Sequence, residues 1–175
     1  QRVEGQDLDQ RMEDLGLSSA LFSAERDGRN IAGTSMHCQR RIARFLSEVS
    51  QAVHAAHECG VLHHDLKPAN ILVDVHGHPR ITDFGLAQLR GDQPEHLAQS
   101  YIEGTPNYIA PELLTGHSFA TVYSDLYSIG VMLYVMLTGV LPFKADSLLD
   151  CVTLKQAGHL KSAKSINPDV PERLD

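Results

Sequence analysis

Four side chains in the middle of the chain are of types that could do chemistry together: Asp65, Lys67, Asn70 and Asp83. The first three stand in His63-His64-Asp65-Leu66-Lys67-Pro68-Ala69-Asn70, and the fourth opens Asp83-Phe84-Gly85. Carboxylate and carboxamide oxygens are the hard donors that suit a hard divalent cation. A lysine ammonium is a compact point charge of the kind that meets a phosphate. Any one of these residues could equally be a turn former; the set in this order is what points to a site.

Such a site needs elements that hold it still, because an ångström of drift between reacting groups is costly. The apolar runs Val61-Leu62 and Ile71-Leu72-Val73 flank the loop, and Arg80-Ile81-Thr82 follows the turn Asp74-Val75-His76-Gly77-His78-Pro79. Strand, loop, strand, turn, strand is the reading. Upstream, Ile42, Phe45, Leu46, Val49, Val53 and Ala56 fall at spacings of three and four, which predicts one helix over 36–59 with Gly60 as its stop. His54 and His57 lie on that helix, but no cysteine or carboxylate completes a tetrahedral set at a familiar spacing, so they are placed on its polar flank. Downstream, Asp125 reads as the N-cap of an apolar helix over 126–137. About twenty apolar residues are needed to span a bilayer, and this run ends at Thr138-Gly139, so a buried central helix is expected. Residues 147–158 read as an amphipathic helix with Leu148, Leu149, Val152 and Leu154 on its apolar face, followed by the proline-bounded link Ile166–Pro171.

The chain of 175 residues suits one domain, able to bury roughly 70% of its unfolded surface. An apolar fraction of 42% with 21% charged residues is ordinary for a globular protein. The net charge of −7 provides no basic stripe for a nucleic-acid backbone. Cys38, Cys59 and Cys151 are widely spaced and form no C-x-x-C pair, which suggests reduced thiols and a cytoplasmic setting. No basic and apolar signal segment opens the chain, so secretion is not indicated.

The stretch His63–Asn70, then Asp83-Phe84-Gly85, then Ala110-Pro111-Glu112 resembles the H-R-D-L-K-P-x-N, D-F-G and A-P-E series of the eukaryotic-type protein kinases. The resemblance is specific over about 36–143. Lys67-Pro68 and Gly104-Thr105-Pro106 look like the serine/threonine branch, and Ala52-Val53-His54-Ala55-Ala56-His57 looks like bacterial members. It implies Asp65 as the base for the attacking hydroxyl, Asn70 and Asp83 as magnesium ligands, Lys67 at the transferring phosphate, and Thr105 bonded to the catalytic aspartate and lysine. ATP and Mg²⁺ are the implied cofactors and protein hydroxyls the implied substrate. Residues 86–109 resemble the activation loop, with Ser100 and Tyr101 as candidates for modification, and Gly104–Glu112 the floor on which a peptide lies. That floor favours protein over small-molecule substrates. Asp125 matches an aspartate that braces the catalytic loop, while Glu112 has no evident arginine partner unless it is Arg173.

The expected fold is therefore α+β, mainly α: the large, C-terminal lobe of a kinase-like fold with a small β-hairpin. Residues 1–35 are expected to hold the inter-lobe linker, a short helix near Leu8–Leu15 and a loop over 18–34, with Val3 and Asp7 bordering adenine and ribose. Residues 36–143 form the catalytic core, and 144–175 a helix and the end of the piece. No G-x-G-x-x-G and no Val-Ala-Ile-Lys strand occurs, so the small lobe is expected to be missing and the chain alone to be inactive. His64 stands where the family has arginine. An ordinary histidine is only about a quarter protonated at pH 7, which suggests weak dependence on loop phosphorylation, or Arg80 as the main basic partner. The alternative from another class is a pseudokinase or regulatory binding module.

Overall fold

The computed structural model describes residues 6–11, 36–84, 88–89, 106–114, 120–145 and 147–175. Its longest element, α2 (Met36–Glu58), buries Ile42, Phe45, Leu46, Val49 and Val53, the stripe its spacing predicts. Gly60 follows in the left-handed region at φ 77°, where a side chain would be strained, and its N–H reaches the His57 carbonyl. The stripe packs on α4 (Val122–Thr138) to make the main core, which includes Met132, Met136 and Leu137. Leu8, in the one-turn α1 (Leu8–Arg11), is fully buried in the same cluster. The expected extension of that helix to Leu15 lies outside the described residues.

The strands are short: β1 (Gln6–Asp7), β2 (Val61–Leu62), β3 (Ile71–Val73), β4 (Pro79–Ile81) and β5 (Gln88–Leu89). β3 lies between β1 and β4, antiparallel to both, with Ile71 opposite Ile81 and Leu72 opposite both Asp7 and Arg80. β2 pairs with β5. The β4 strand begins one residue earlier than expected, at Pro79, and Thr82 leaves the ladder to donate its N–H to the Asn70 carbonyl at 2.9 Å. Asp74 closes the β3–β4 turn by accepting the N–H groups of His76 and His78. The His78 N–H, with help from His76 and Arg80, holds the Asp74 carboxyl down at about 2.

Two expectations about helices are corrected. The N-cap of α4 is Thr121, which accepts from the Tyr123 N–H while Ser124 Oγ accepts from the Thr121 N–H; Asp125 sits inside the first turn, 2% exposed. A reciprocal Thr/Ser cap satisfies two orphan donors at once, leaving the Asp125 carboxylate for other use. The helix is not covered all round either, since Tyr123 and Leu126 are exposed. In α5 (Leu148–Ala157), Leu148, Leu149 and Leu154 face outward and the buried residues are Cys151 and Lys155. The inward face is defined by hydrogen bonding to the segment beneath it, which hydropathy does not register. The chain closes with α6 (Ala163–Ile166) and a short turn over Glu172–Leu174, and α3 (Pro111–Leu114) packs near α5. Among the described residues no helix is long and apolar enough to cross a membrane.

Candidate active site

The loop between β2 and β3 is fixed from below. Leu66 is 1% exposed and plugs into the main core, and Pro68 opens the turn Pro68–Asn70, a position suited to its locked φ and missing N–H. Asp125 accepts the His64 N–H on Oδ1 and the His63 N–H on Oδ2, each at 3.0 Å. His57 Nε2 lies 2.7 Å from the same Oδ2. A carboxylate only accepts, so this nitrogen carries the proton. The placement of His57 on a polar flank is thus overturned: its side chain is 9% exposed and joins α2 to α4 beneath the loop. His54 is exposed. Among the described residues no group of three or more His, Cys, Asp or Glu could hold a metal ion.

His63 ties the loop to the next segment. Its Nε2 donates to the Thr82 carbonyl at 2.9 Å, and its ring lies 4.6 Å from the Phe84 ring at a 51° tilt. Thr82 in turn gives its N–H and hydroxyl to the Asn70 carbonyl, at 2.9 and 3.2 Å. Asn70 and Asp83 are thereby carried on two chain stretches bonded to each other. His64 and Asp83 are the non-glycine residues with positive φ, 70° and 58° among the described residues, and left-handed backbone outside glycine tends to gather where geometry serves function.

The side chains of Asp65, Lys67 and Asn70 meet in the loop. Lys67 Nζ is 2.7 Å from Asp65 Oδ2. Asn70 Nδ2 donates to that same oxygen at 3.0 Å and to the Asp65 carbonyl at 2.8 Å. Asp65 Oδ2 is therefore occupied, while Oδ1 accepts nothing from the described residues. With its nitrogen committed, Asn70 presents its amide oxygen without a donor among the described residues, and Asp83 is exposed. These are hard oxygens with free lone pairs, and they fit a magnesium ion. Asp7 enters through its backbone, opposite Leu72 in β1–β3. Val3, Gly85, Ser100, Tyr101 and Thr105 lie outside the described residues.

His64 is buried, and both of its ring nitrogens lack a hydrogen-bond partner among the described residues. Burial pushes its pKa below the usual value; Asp125 opposes that shift and His63 adds to it. The ring is therefore less charged than an ordinary histidine, further still from the family's arginine. Arg80 is not a substitute: its guanidinium is engaged with Asp74 Oδ2 at 3.0 and 3.2 Å. Glu112 accepts the Ser124 hydroxyl at 2.9 Å, and Arg173 is exposed in the closing turn.

Sequence reasoning missed two buried polar residues, His57 beneath the loop and Lys155, which bonds the carbonyls of Pro106, Asn107 and Ile109. The first had a signal, since it continues the i, i+4 series Val49, Val53 onto the buried face. The second had none, because a lysine between Leu154 and Gln156 looks like any solvated position.

The family model for the protein kinase domain matches residues 12–172. CBL-interacting protein kinase 21 of Oryza sativa subsp. japonica is 46% identical over 131 residues, 75% of this chain and 25% of the relative. The probable serine/threonine-protein kinase PknB of Lactococcus lactis is 36% identical over 131 residues, 75% of this chain and 21% of the relative. Relatives from a plant and from a bacterium thus match alike, and the chain spans about a quarter of the length of the curated relatives it matches. A loop that joins Asp65, Lys67 and Asn70, anchored by Asp125 and followed by Asp83, accords with that match over most of the sequence: the chain belongs to the protein kinase domain family.

Proposed function

We propose that the protein carrying this chain transfers the γ-phosphate of ATP, as its magnesium complex, to serine and threonine hydroxyls of other proteins. The observation that carries the reading is the division of labour on Asp65. Lys67 and Asn70 hold Oδ2, which fixes the carboxylate and leaves Oδ1 to take the proton of an attacking hydroxyl. Lys67 stands beside that oxygen, where the transferring phosphate arrives. The Asn70 amide oxygen and the Asp83 carboxylate are the groups to hold Mg²⁺. Held there, Mg²⁺ would supply neutralisation of the charge that develops on the transferring phosphate.

Thr105 completes this reading as a partner of Asp65 and Lys67, and Val3 and Asp7 as the border of adenine and ribose. Gly104–Glu112 is the floor for a protein substrate. Support for the serine/threonine branch comes from Lys67-Pro68, from Thr105-Pro106 and from relatives that carry serine/threonine kinase names. A cytoplasmic setting is proposed from the thiol content alone.

The test is transfer of labelled phosphate from Mg-ATP to a generic basic protein by the full-length protein, beside Asp65→Asn. The expected loss in the variant is about 10²-fold or more, and chelation of magnesium abolishes transfer. A folded, ATP-binding protein that transfers nothing would instead be a regulatory binding module.

A further inference from the structure

The described part of the proposed peptide floor is the turn Pro106–Tyr108 with Ile109 and Ala110, followed by Pro111 and Glu112 at the start of α3. Its carbonyls belong to no sheet, and buried carbonyls must find donors somewhere. Lys155 supplies them. Its Nζ donates to the carbonyls of Pro106 at 2.9 Å, Asn107 at 3.1 Å and Ile109, so that all three ammonium hydrogens are spent on one short segment. Cys151 Sγ, one helical turn earlier, adds a contact to the Pro106 carbonyl at 3.4 Å. Above the ammonium lies the Tyr127 ring, 5.1 Å away. The side chain is 7% exposed, and nothing in this arrangement touches Asp65, Asn70 or Asp83.

We propose that Lys155 is a positioning residue for the protein substrate: it draws three consecutive-turn carbonyls of 106–109 down onto α5 and so sets the surface on which the acceptor peptide lies. The inference rests on the reading of Gly104–Glu112 as that floor. A cation under the floor acts on the peptide and not on the nucleotide. A lysine that served only general stability would leave the two substrates equally affected.

The experiment compares the full-length protein with Lys155→Met, which keeps the stem and loses the donors. Amide hydrogen exchange over 107–110 is expected to quicken by about tenfold or more. The KM for the basic protein is expected to rise about tenfold, with the KM for ATP within about twofold. Lys155→Gln, which retains two N–H donors, is expected to fall between the two. Unchanged exchange overturns the proposal, as does an equal change in both KM values. Failure of both variants to fold assigns Lys155 to general stability and also overturns it. If the parent transfers no phosphate, the function proposed above falls on its own, and the clamp is read from the exchange rates together with direct binding of the basic protein.

Discussion

The loop that carries Asp65 and the proposed peptide floor solve the same problem with opposite charges. In the loop, the buried anion Asp125 collects main-chain N–H groups from His63 and His64. In the floor, the buried cation Lys155 collects main-chain carbonyls from Pro106, Asn107 and Ile109. Both segments are irregular, so neither can satisfy its backbone in a ladder, and a buried charge does it from a neighbouring helix. They differ in what lies around the charge. Asp125 stands on α4, whose body is the centre of the main core. Lys155 stands on α5 beside a small satellite cluster of Ile109, Ala110 and Leu113. The loop is therefore tied to the main core through Asp125, whereas the floor is held from two sides, by Lys155 and by Ser128 of α4, which donates its hydroxyl to the Tyr108 carbonyl at 2.9 Å.

The hardest break in this comparison is Asp125→Ala. It strands two buried N–H groups and the proton on His57, so a loss of about 3 kcal/mol in denaturant unfolding is expected, together with loss of phosphate transfer. A variant with parental stability and rate would end the brace argument. Next comes His57→Phe, which fills the space but removes one of three donors to the Asp125 carboxylate; about 1–2 kcal/mol is expected, with a fall in rate larger than any change in KM for ATP. Thr121→Ala separates the cap from the brace: stability should drop by about 1 kcal/mol while the transfer rate of the folded protein is unchanged.

The smallest expected effect is on pH. His64 has a folded pKa below its unfolded value of about 6.5, so as pH falls through 6.5 the unfolded chain takes up a proton that the folded loop refuses. The stability contribution is present above 6.5 and is lost as pH falls towards the depressed folded value. Unfolding free energy measured from about pH 7 to about pH 5 should therefore decline, and His64→Phe should flatten that decline. An equal slope in the variant would assign the dependence to other groups.

What could be read in the sequence was whatever declares itself by order or period. The His63–Asn70, Asp83 and Ala110-Pro111-Glu112 series placed the loop, and the stripe from Ile42 to Val53 placed α2. What could not be read was decided by partners distant in the chain. Asp125 looked like a cap because it precedes an apolar run, yet Thr121 and Ser124 cap each other and free it for the loop. Leu148, Leu149 and Leu154 looked like an inner face, yet three orphan carbonyls on Pro106, Asn107 and Ile109 turned Lys155 inward. Hydrophobic period reports burial in apolar surroundings; it is silent where a hydrogen-bonded charge does the burying.

The Asn70 side chain faces two ways, its nitrogen spent on Asp65 and its oxygen turned outward. That arrangement concentrates a great deal on one amide. Asparagine is among the thermolabile residues, and hydrolysis of this one amide replaces a donor 3.0 Å from Asp65 Oδ2 with a second carboxylate. Two like charges at that separation raise the affinity of one for a proton, so Asp65 would be blunted in its proposed role as base. One amide converted to a carboxylate would thus leave the hydrophobic core as it is and change the proposed chemistry at a single atom.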